Sequence, residues 1–254
     1  MRFLLILISI LLVEPPEDRP APRLDENSIT AHRDLLAKRT KGRIDVYFEG
    51  DSITRRWGAI DYPDLLAHWK SNFFGWNAAD FGWGADRIEN ILWRLENGEL
   101  DGVNPKVIVI LAGTNNVGAG RGGPEKIANI TRGLEALVAI CRRKAAEATI
   151  VLTAIFPRND NLEAVEQINA INENLAGMAD GARVRFLNVN GRLAGADGRL
   201  FEGMMNADKL HPTTKGYQVW ADALKPILAE ILGPPAAADH APPPTGDPSA
   251  LLRR

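Results

Sequence analysis

The feature that most constrains the fold is a regular alternation of short apolar runs with longer amphipathic segments. Residues 107–112 are apolar at every position, which is typical of a strand buried on both faces of a parallel sheet. Residues 124–144 instead repeat apolar side chains on one helical face. Strand followed by helix along the chain predicts a three-layer α/β/α sandwich with a central parallel sheet. Strands are expected over 44–49, 77–81, 107–112, 149–155 and 184–189, and helices over 62–74, 87–95, 124–144, 161–178 and 213–232.

Both ends of the chain differ in composition from its middle. Residues 1–23 begin with a basic residue and an apolar run, as in a secretory signal, although a hydrophobic arm that packs on the domain or on another subunit is the alternative. The apolar run is too short to span a bilayer comfortably, so no stable membrane span is expected. Residues 24–232 are expected to form one domain, followed by a flexible Pro- and Ala-rich tail over 233–254. The basic start favours a secreted or periplasmic location over the cytoplasm.

Charge and cysteine content limit the partners. The 254 residues carry a formal net charge of −2, and no run of Lys or Arg forms a basic stripe, so nucleic acid is not an expected partner. Cys141 is the single cysteine, which excludes an intrachain disulfide and a thiolate metal cluster. It falls on the apolar face of an expected helix, where it acts as a small buried hydrophobe.

Polar residues follow the first strand at its carboxyl end. In open parallel sheets, sites lie just beyond the carboxyl ends of the strands. Gly50 permits a sharp turn there, and Ser52 stands where a helix begins. A serine in this position is a helix N-cap, a nucleophile or, with the glycine turn, part of a phosphate or flavin site. The triplet Gly50-Asp51-Ser52 does not decide among these interpretations by itself.

Two further turns offer hydrogen-bond donors at the same edge of the sheet. Gly82 follows the second strand, either as a turn residue or as a backbone N–H that points at a developing negative charge. Asn115 follows the third strand. Asn is common in turns, but a side-chain amide at a strand's carboxyl end also suits an oxyanion. Both residues are therefore candidate oxyanion donors.

One of the four histidines stands apart. His32 and His68 fall in helical segments and His240 in the tail, whereas His211 lies at a loop–helix junction, three residues after Asp208. This spacing lets the carboxylate orient one imidazole nitrogen while the other faces a nucleophile. An Asp208 N-cap is the alternative, and a metal site is disfavoured because no second His or Cys is placed to help. An ionised Asp208 is expected to raise the pKa of His211 above about 6.5.

Together these turns resemble the four sequence blocks of the SGNH or GDSL hydrolase family, over about residues 40–232. The resemblance implies a flavodoxin-like fold and serine-esterase chemistry that needs no metal or organic cofactor. Asn116 departs from the Asp that usually ends the third block, which does not alter the donor before it. The roles carried over are nucleophile for Ser52, base for His211, orienting acid for Asp208, and oxyanion donors for Ser52, Gly82 and Asn115.

A longer stretch narrows the resemblance. Residues 91–100, followed by Asn104-Pro105-Lys106-Val107, are similar to the catalytic α-subunits of platelet-activating-factor acetylhydrolase. This similarity implies a small-molecule substrate with a short acyl group, acetyl above all, and a homodimer, while it leaves the alcohol open. A thioesterase or lysophospholipase with the same triad is the enzymatic alternative. A phosphate- or flavin-binding module of the same architecture is the non-catalytic one.

Overall fold

The computed structural model describes residues 16–118 and 122–251. Its strands are β1 (Val46–Gly50), β2 (Ala78–Asp80), β3 (Val107–Leu111), β4 (Thr149–Thr153) and β5 (Val184–Leu187). Its helices are α1 (Glu26–Lys38), α2 (Ser52–Gly58), α3 (Pro63–Phe73), α4 (Ile88–Arg94), α5 (Thr114–Val117), α6 (Pro124–Lys144), α7 (Val165–Gly177), α8 (Asn190–Leu193), α9 (Thr214–Leu232) and α10 (Pro248–Leu251). A π-helical turn, Leu95–Glu99, follows α4, and a 3-10 turn, Leu162–Ala164, precedes α7.

The five strands form one parallel sheet in the order β2-β1-β3-β4-β5. This order confirms the expected three-layer sandwich and places the reversal of strand order between β1 and β3. Each expected strand is present but ends earlier or later by one or two residues. At the end of β4, for example, Ile155 and Phe156 are apolar and buried although they no longer pair in the ladder. An apolar run in the sequence indicates buried residues, and the buried residues here continue beyond the strand into the loop.

Side chains of alternate strand residues build two cores, one on each face of the sheet. Tyr47, Ile108 and Ile150 face the core that α4, α6 and α7 cover. The next residues along the same strands, such as Phe48 and Val109, face the opposite core. That second core is rich in aromatic rings in edge-on and tilted contacts, contributed by Phe48, Trp57, Trp69, Phe73 and Trp220. Burial on both faces explains why the strands are continuously apolar.

The carboxyl-terminal segment 234–250 makes specific contacts along the domain. The Ala236 N–H donates to the Gly75 carbonyl at 2.9 Å, and the His240 N–H donates to Asn77 Oδ1 at 2.7 Å. Composition alone predicts a flexible tail, because Pro and Ala offer few apolar side chains to bury. These two contacts use backbone N–H groups of the tail, which composition does not reveal.

The apolar run of the possible signal segment lies in residues 1–15, outside the described part of the chain. Within residues 16–118 and 122–251, no helix has both the length and the apolar character needed to cross a bilayer. Cys141 lies on α6 and is fully buried, as its position on the apolar face predicts.

Candidate active site

The turn after β1 is held by close backbone packing. A Cβ atom on Gly50 would lie 2.4 Å from the Leu111 carbonyl of the neighbouring strand, so only glycine fits. The N-cap of α2 is Asp51, whose Oδ1 accepts from the Ile53 N–H at 2.9 Å. Ser52 is therefore the first residue inside the helix, and the interpretation of Ser52 as the cap is wrong. Its hydroxyl is left for another partner.

That partner is a histidine 159 residues further along the chain. Ser52 Oγ lies 2.8 Å from His211 Nε2, and His211 Nδ1 lies 2.8 Å from Asp208 Oδ2. An ionised carboxylate only accepts hydrogen bonds, so Nδ1 carries the proton and Nε2 accepts from the serine hydroxyl. This is the hydrogen-bond order of a nucleophile, a general base and an orienting acid.

Asp208 does not cap the last long helix. That helix begins at Thr214 and is capped by the Thr213 side chain, so the N-cap interpretation of Asp208 is wrong. Asp208 Oδ1 instead accepts from the backbone N–H groups of Leu210 and His211, at 3.1 and 2.9 Å. Partial burial alone would raise the pKa of Asp208, but these donors and the His211 ring lower it to about 2. The acid is ionised throughout the neutral range.

The pKa of His211 shifts in the direction opposite to the sequence-based expectation. Burial disfavours the imidazolium and lowers the pKa below its ordinary value of 6.5. The hydrogen bond to Asp208 raises it, but the positive charge of Arg56 acts with burial. Arg56 Nη1 lies 3.3 Å from Asp208 Oδ2 and thus sits against the triad. The sequence-based prediction counted only the carboxylate.

We expect the pH profile of kcat/KM to reflect this shift. A neutral His211 is required for proton abstraction, so activity rises with pH through the lowered pKa, with a midpoint below about 6.5. Arg56→Gln removes a positive charge and should move the midpoint upward. Arg192→Gln is the matched control, because Arg192 pairs only loosely with Asp222 at 3.8 Å on the surface. Rates of nitrophenyl acetate hydrolysis that do not change from about pH 5 to 8 would contradict a histidine base.

Gly82 packs against the nucleophile turn. A Cβ atom there would lie 2.6 Å from the Arg55 nitrogen and 2.9 Å from the Asp51 carbonyl. The Gly82 N–H donates to Asp80 Oδ1 at 2.7 Å, and Asp80 Oδ2 accepts from the Gly58 N–H at 3.0 Å. The Gly82 N–H therefore already has an acceptor, and an oxyanion would have to share this N–H with Asp80.

The two asparagines that follow β3, Asn115 and Asn116, have different hydrogen-bond partners. Gly113 adopts φ +109°, a left-handed conformation that favours glycine, and starts α5. The Asn115 amide donates one hydrogen to the Asp86 carbonyl at 2.8 Å, and its second hydrogen is available to a substrate. Asn116 is buried, where it accepts from the Ile88 N–H and donates to Glu89 at 2.9 Å each. The departure at Asn116 thus serves the structure of α4.

Two arginines beside the site were not anticipated. Arg56 follows Ser52 by one helical turn, and this i, i+4 spacing was the signal available in the sequence. Arg158 follows β4, and its Nη1 donates to the carbonyl of Thr114 at 2.9 Å, directly before Asn115. No sequence pattern links Arg158 to Thr114, since sheet order alone brings their loops together.

Comparisons with known proteins show which family this chain resembles over most of its length. The model of the GDSL-like Lipase/Acylhydrolase family matches residues 48–219. Platelet-activating factor acetylhydrolase IB subunit alpha1 from Homo sapiens is 28% identical over 225 residues, covering 86% of this chain and 92% of that protein. Subunit alpha2 from Rattus norvegicus is 30% identical over 210 residues, covering 82% and 86%. A solved GDSL-like lipase from Bacteroides thetaiotaomicron shares the fold, with a TM-score of 0.60 at 20% identity over 74% of this chain and 88% of that one.

Proposed function

Since the chain belongs to the GDSL-like lipase/acylhydrolase family, we propose that it is a serine esterase that hydrolyses short-chain, preferentially acetyl, esters. The observation that carries the proposal is the pair of 2.8 Å hydrogen bonds that joins Ser52 Oγ to His211 and His211 to Asp208. The curated relatives are named acetylhydrolases, which supports the acetyl group and leaves the alcohol open.

The proposed reaction has two steps. His211 Nε2 takes the proton of Ser52 as Oγ attacks the ester carbonyl, and Asp208 stabilises the imidazolium that forms. The oxyanion accepts from the Ser52 N–H and the second Asn115 amide hydrogen, with Gly82 as a further donor. The intermediate collapses as His211 protonates the departing alcohol. A water molecule, deprotonated by His211, then attacks the acyl-serine, and His211 returns that proton to Ser52 Oγ as the bond between Oγ and the acyl carbon breaks and the acid is released.

Three large cavities of the molecule lie away from the triad. A pocket for a drug-sized ligand has a volume of about 300–1,000 Å³. Cavities of about 320, 430 and 520 Å³ in the described part of the chain are of this size, but they are lined by residues other than Ser52, Asn115 and His211. None of these three cavities is therefore placed to hold a long acyl chain on Ser52.

A series of nitrophenyl esters of increasing acyl length tests the proposal. Each methylene that enters an apolar pocket adds about 0.8 kcal/mol of binding, but only while the pocket has room. Longer chains stay in water or displace the carbonyl from its donors, which lowers kcat. We expect kcat/KM to peak at roughly two to four acyl carbons and to fall beyond. A rate that still climbs at about eight carbons would favour the thioesterase or lysophospholipase alternative.

A further inference from the structure

The buried guanidinium of Arg94 lies behind the candidate active site. Arg94 ends α4 and is 4% exposed. Its Nε donates to Asp86 Oδ2 at 2.7 Å, its Nη2 to Glu49 Oε1 at 2.7 Å, and its Nη1 to the Phe81 carbonyl at 3.0 Å. Nη1 also donates to Glu99, which the π-helical turn after α4 brings back toward the arginine. The described contacts thus use all three guanidinium nitrogens.

Each of the first three contacts leads to a different oxyanion donor. Glu49 is the residue before Gly50, and its Oε1 also accepts from the Gly50 N–H at 3.0 Å, at the start of the turn that carries Ser52. The Phe81 carbonyl belongs to the peptide bond whose nitrogen is the Gly82 N–H. The Arg94 guanidinium therefore contacts the end of β1, three residues before Ser52, and the start of the loop after β2, at the peptide bond of Gly82.

Arg94 is linked to Asn115, in the segment after β3, through Asp86. Its carboxylate accepts from Arg94, while its backbone carbonyl accepts from the Asn115 amide at 2.8 Å. Fixing Asp86 fixes the direction in which the second Asn115 hydrogen points. Because the amide group is planar, a rotation of Asp86 away from Asn115 would turn that hydrogen away from the substrate carbonyl.

The charge of this cluster argues against a purely stabilising role. Burial raises the pKa of both Glu49 and Asp86, although the positive charge of Arg94 opposes both shifts. A buried ion cluster is costly to desolvate, and a well-packed apolar replacement is often equally stable or more stable. What an apolar replacement cannot supply is a rigid planar fork that donates in three fixed directions.

We propose that Arg94 is a positioning residue, which sets the relative placement of the oxyanion donors Ser52, Gly82 and Asn115 through Glu49, Phe81 and Asp86. This proposal rests on the proposed esterase function. It assigns to Arg94 an effect on the transition state and none on the binding of the ester.

The test compares Arg94→Lys with the unchanged protein on nitrophenyl acetate. Lysine keeps the positive charge but cannot donate along three directions of one plane. A misplacement of the donors of about 1 Å can cost up to about 10²-fold, so we expect kcat to fall by about 10- to 100-fold with KM within about twofold. In the Asn115→Ala background the same change should cost less than it does in the unchanged protein, because one of the three donors that it misplaces is already absent.

Leu137→Ala is the control for loss of stability. Leu137 is a fully buried apolar side chain of α6, in the core that α4, α6 and α7 cover. It should lower the melting temperature while kcat changes less than about twofold. If Arg94→Lys does not fold, Asp86→Asn replaces it, since this variant weakens the contact to Arg94 and keeps the carbonyl that holds Asn115.

The outcomes separate the two proposals. An unchanged kcat in a folded Arg94→Lys or Asp86→Asn protein would overturn the positioning role of Arg94. So would a fall in kcat that is as large in the Asn115→Ala background as in the unchanged protein. If the unsubstituted protein did not hydrolyse esters, or if its hydrolysis did not depend on Ser52, the proposed function would be overturned instead.

Discussion

Ser52→Ala is expected to lower kcat for acetyl esters on the order of 10⁴- to 10⁶-fold, the loss typical when a serine nucleophile is removed. The structural reason is the position of the hydroxyl. The hydroxyl does not cap α2, because Asp51 does, and it lies 2.8 Å from His211 Nε2. The measurement is nitrophenyl acetate hydrolysis under saturating substrate.

Circular dichroism and a melting curve should be nearly unchanged in this variant, because the Ser52 side chain does not hold the helix start. Ser71→Ala is the matched control. Ser71 is an exposed serine on α3 whose hydroxyl donates to the His68 carbonyl at 2.8 Å. A folded Ser52→Ala protein that turns over at a rate near that of the Ser71→Ala protein would exclude Ser52 as the nucleophile.

Asn115→Ala is expected to lower kcat by about 10²- to 10³-fold with little change in KM, the usual effect of losing one oxyanion donor. In the proposed reaction, the second Asn115 amide hydrogen interacts more strongly with the developing oxyanion than with the neutral carbonyl. Its loss therefore raises the barrier without weakening ground-state binding. The measurement is a full substrate-saturation curve for each protein.

Asn115→Asp adds a second readout, because a carboxylate of the same shape would repel the oxyanion. We expect it to be at least as damaging as Asn115→Ala. Asn174→Ala is the control, since this exposed amide donates only to Thr131 Oγ1 at 3.0 Å. If Asn115→Ala changed KM alone, Asn115 would be a substrate-binding residue with no part in stabilising the oxyanion.

Much of the fold could be predicted from local patterns. The continuously apolar run at 107–112 predicted a strand buried on both faces, and β3 occupies the centre of the sheet. The helical period of residues 124–144 predicted α6 with the bounds that the structure shows. Strand ends were less accurate, because buried loop residues such as Ile155 are as apolar as the strand before them.

The sequence by itself determined the order of elements, the sheet class and the residues to examine at each strand end, because periodicity and turn chemistry act over a few residues. Only the tertiary structure decided that Ser52 meets His211, 159 residues away, since that distance depends on every intervening loop and helix. It also decided the direction of the His211 pKa shift, because burial and the Arg56 charge arise from packing. The contacts of Arg94 with the end of β1 and with the loop between β2 and α4 have the same origin: sheet order brings together residues that no local pattern connects.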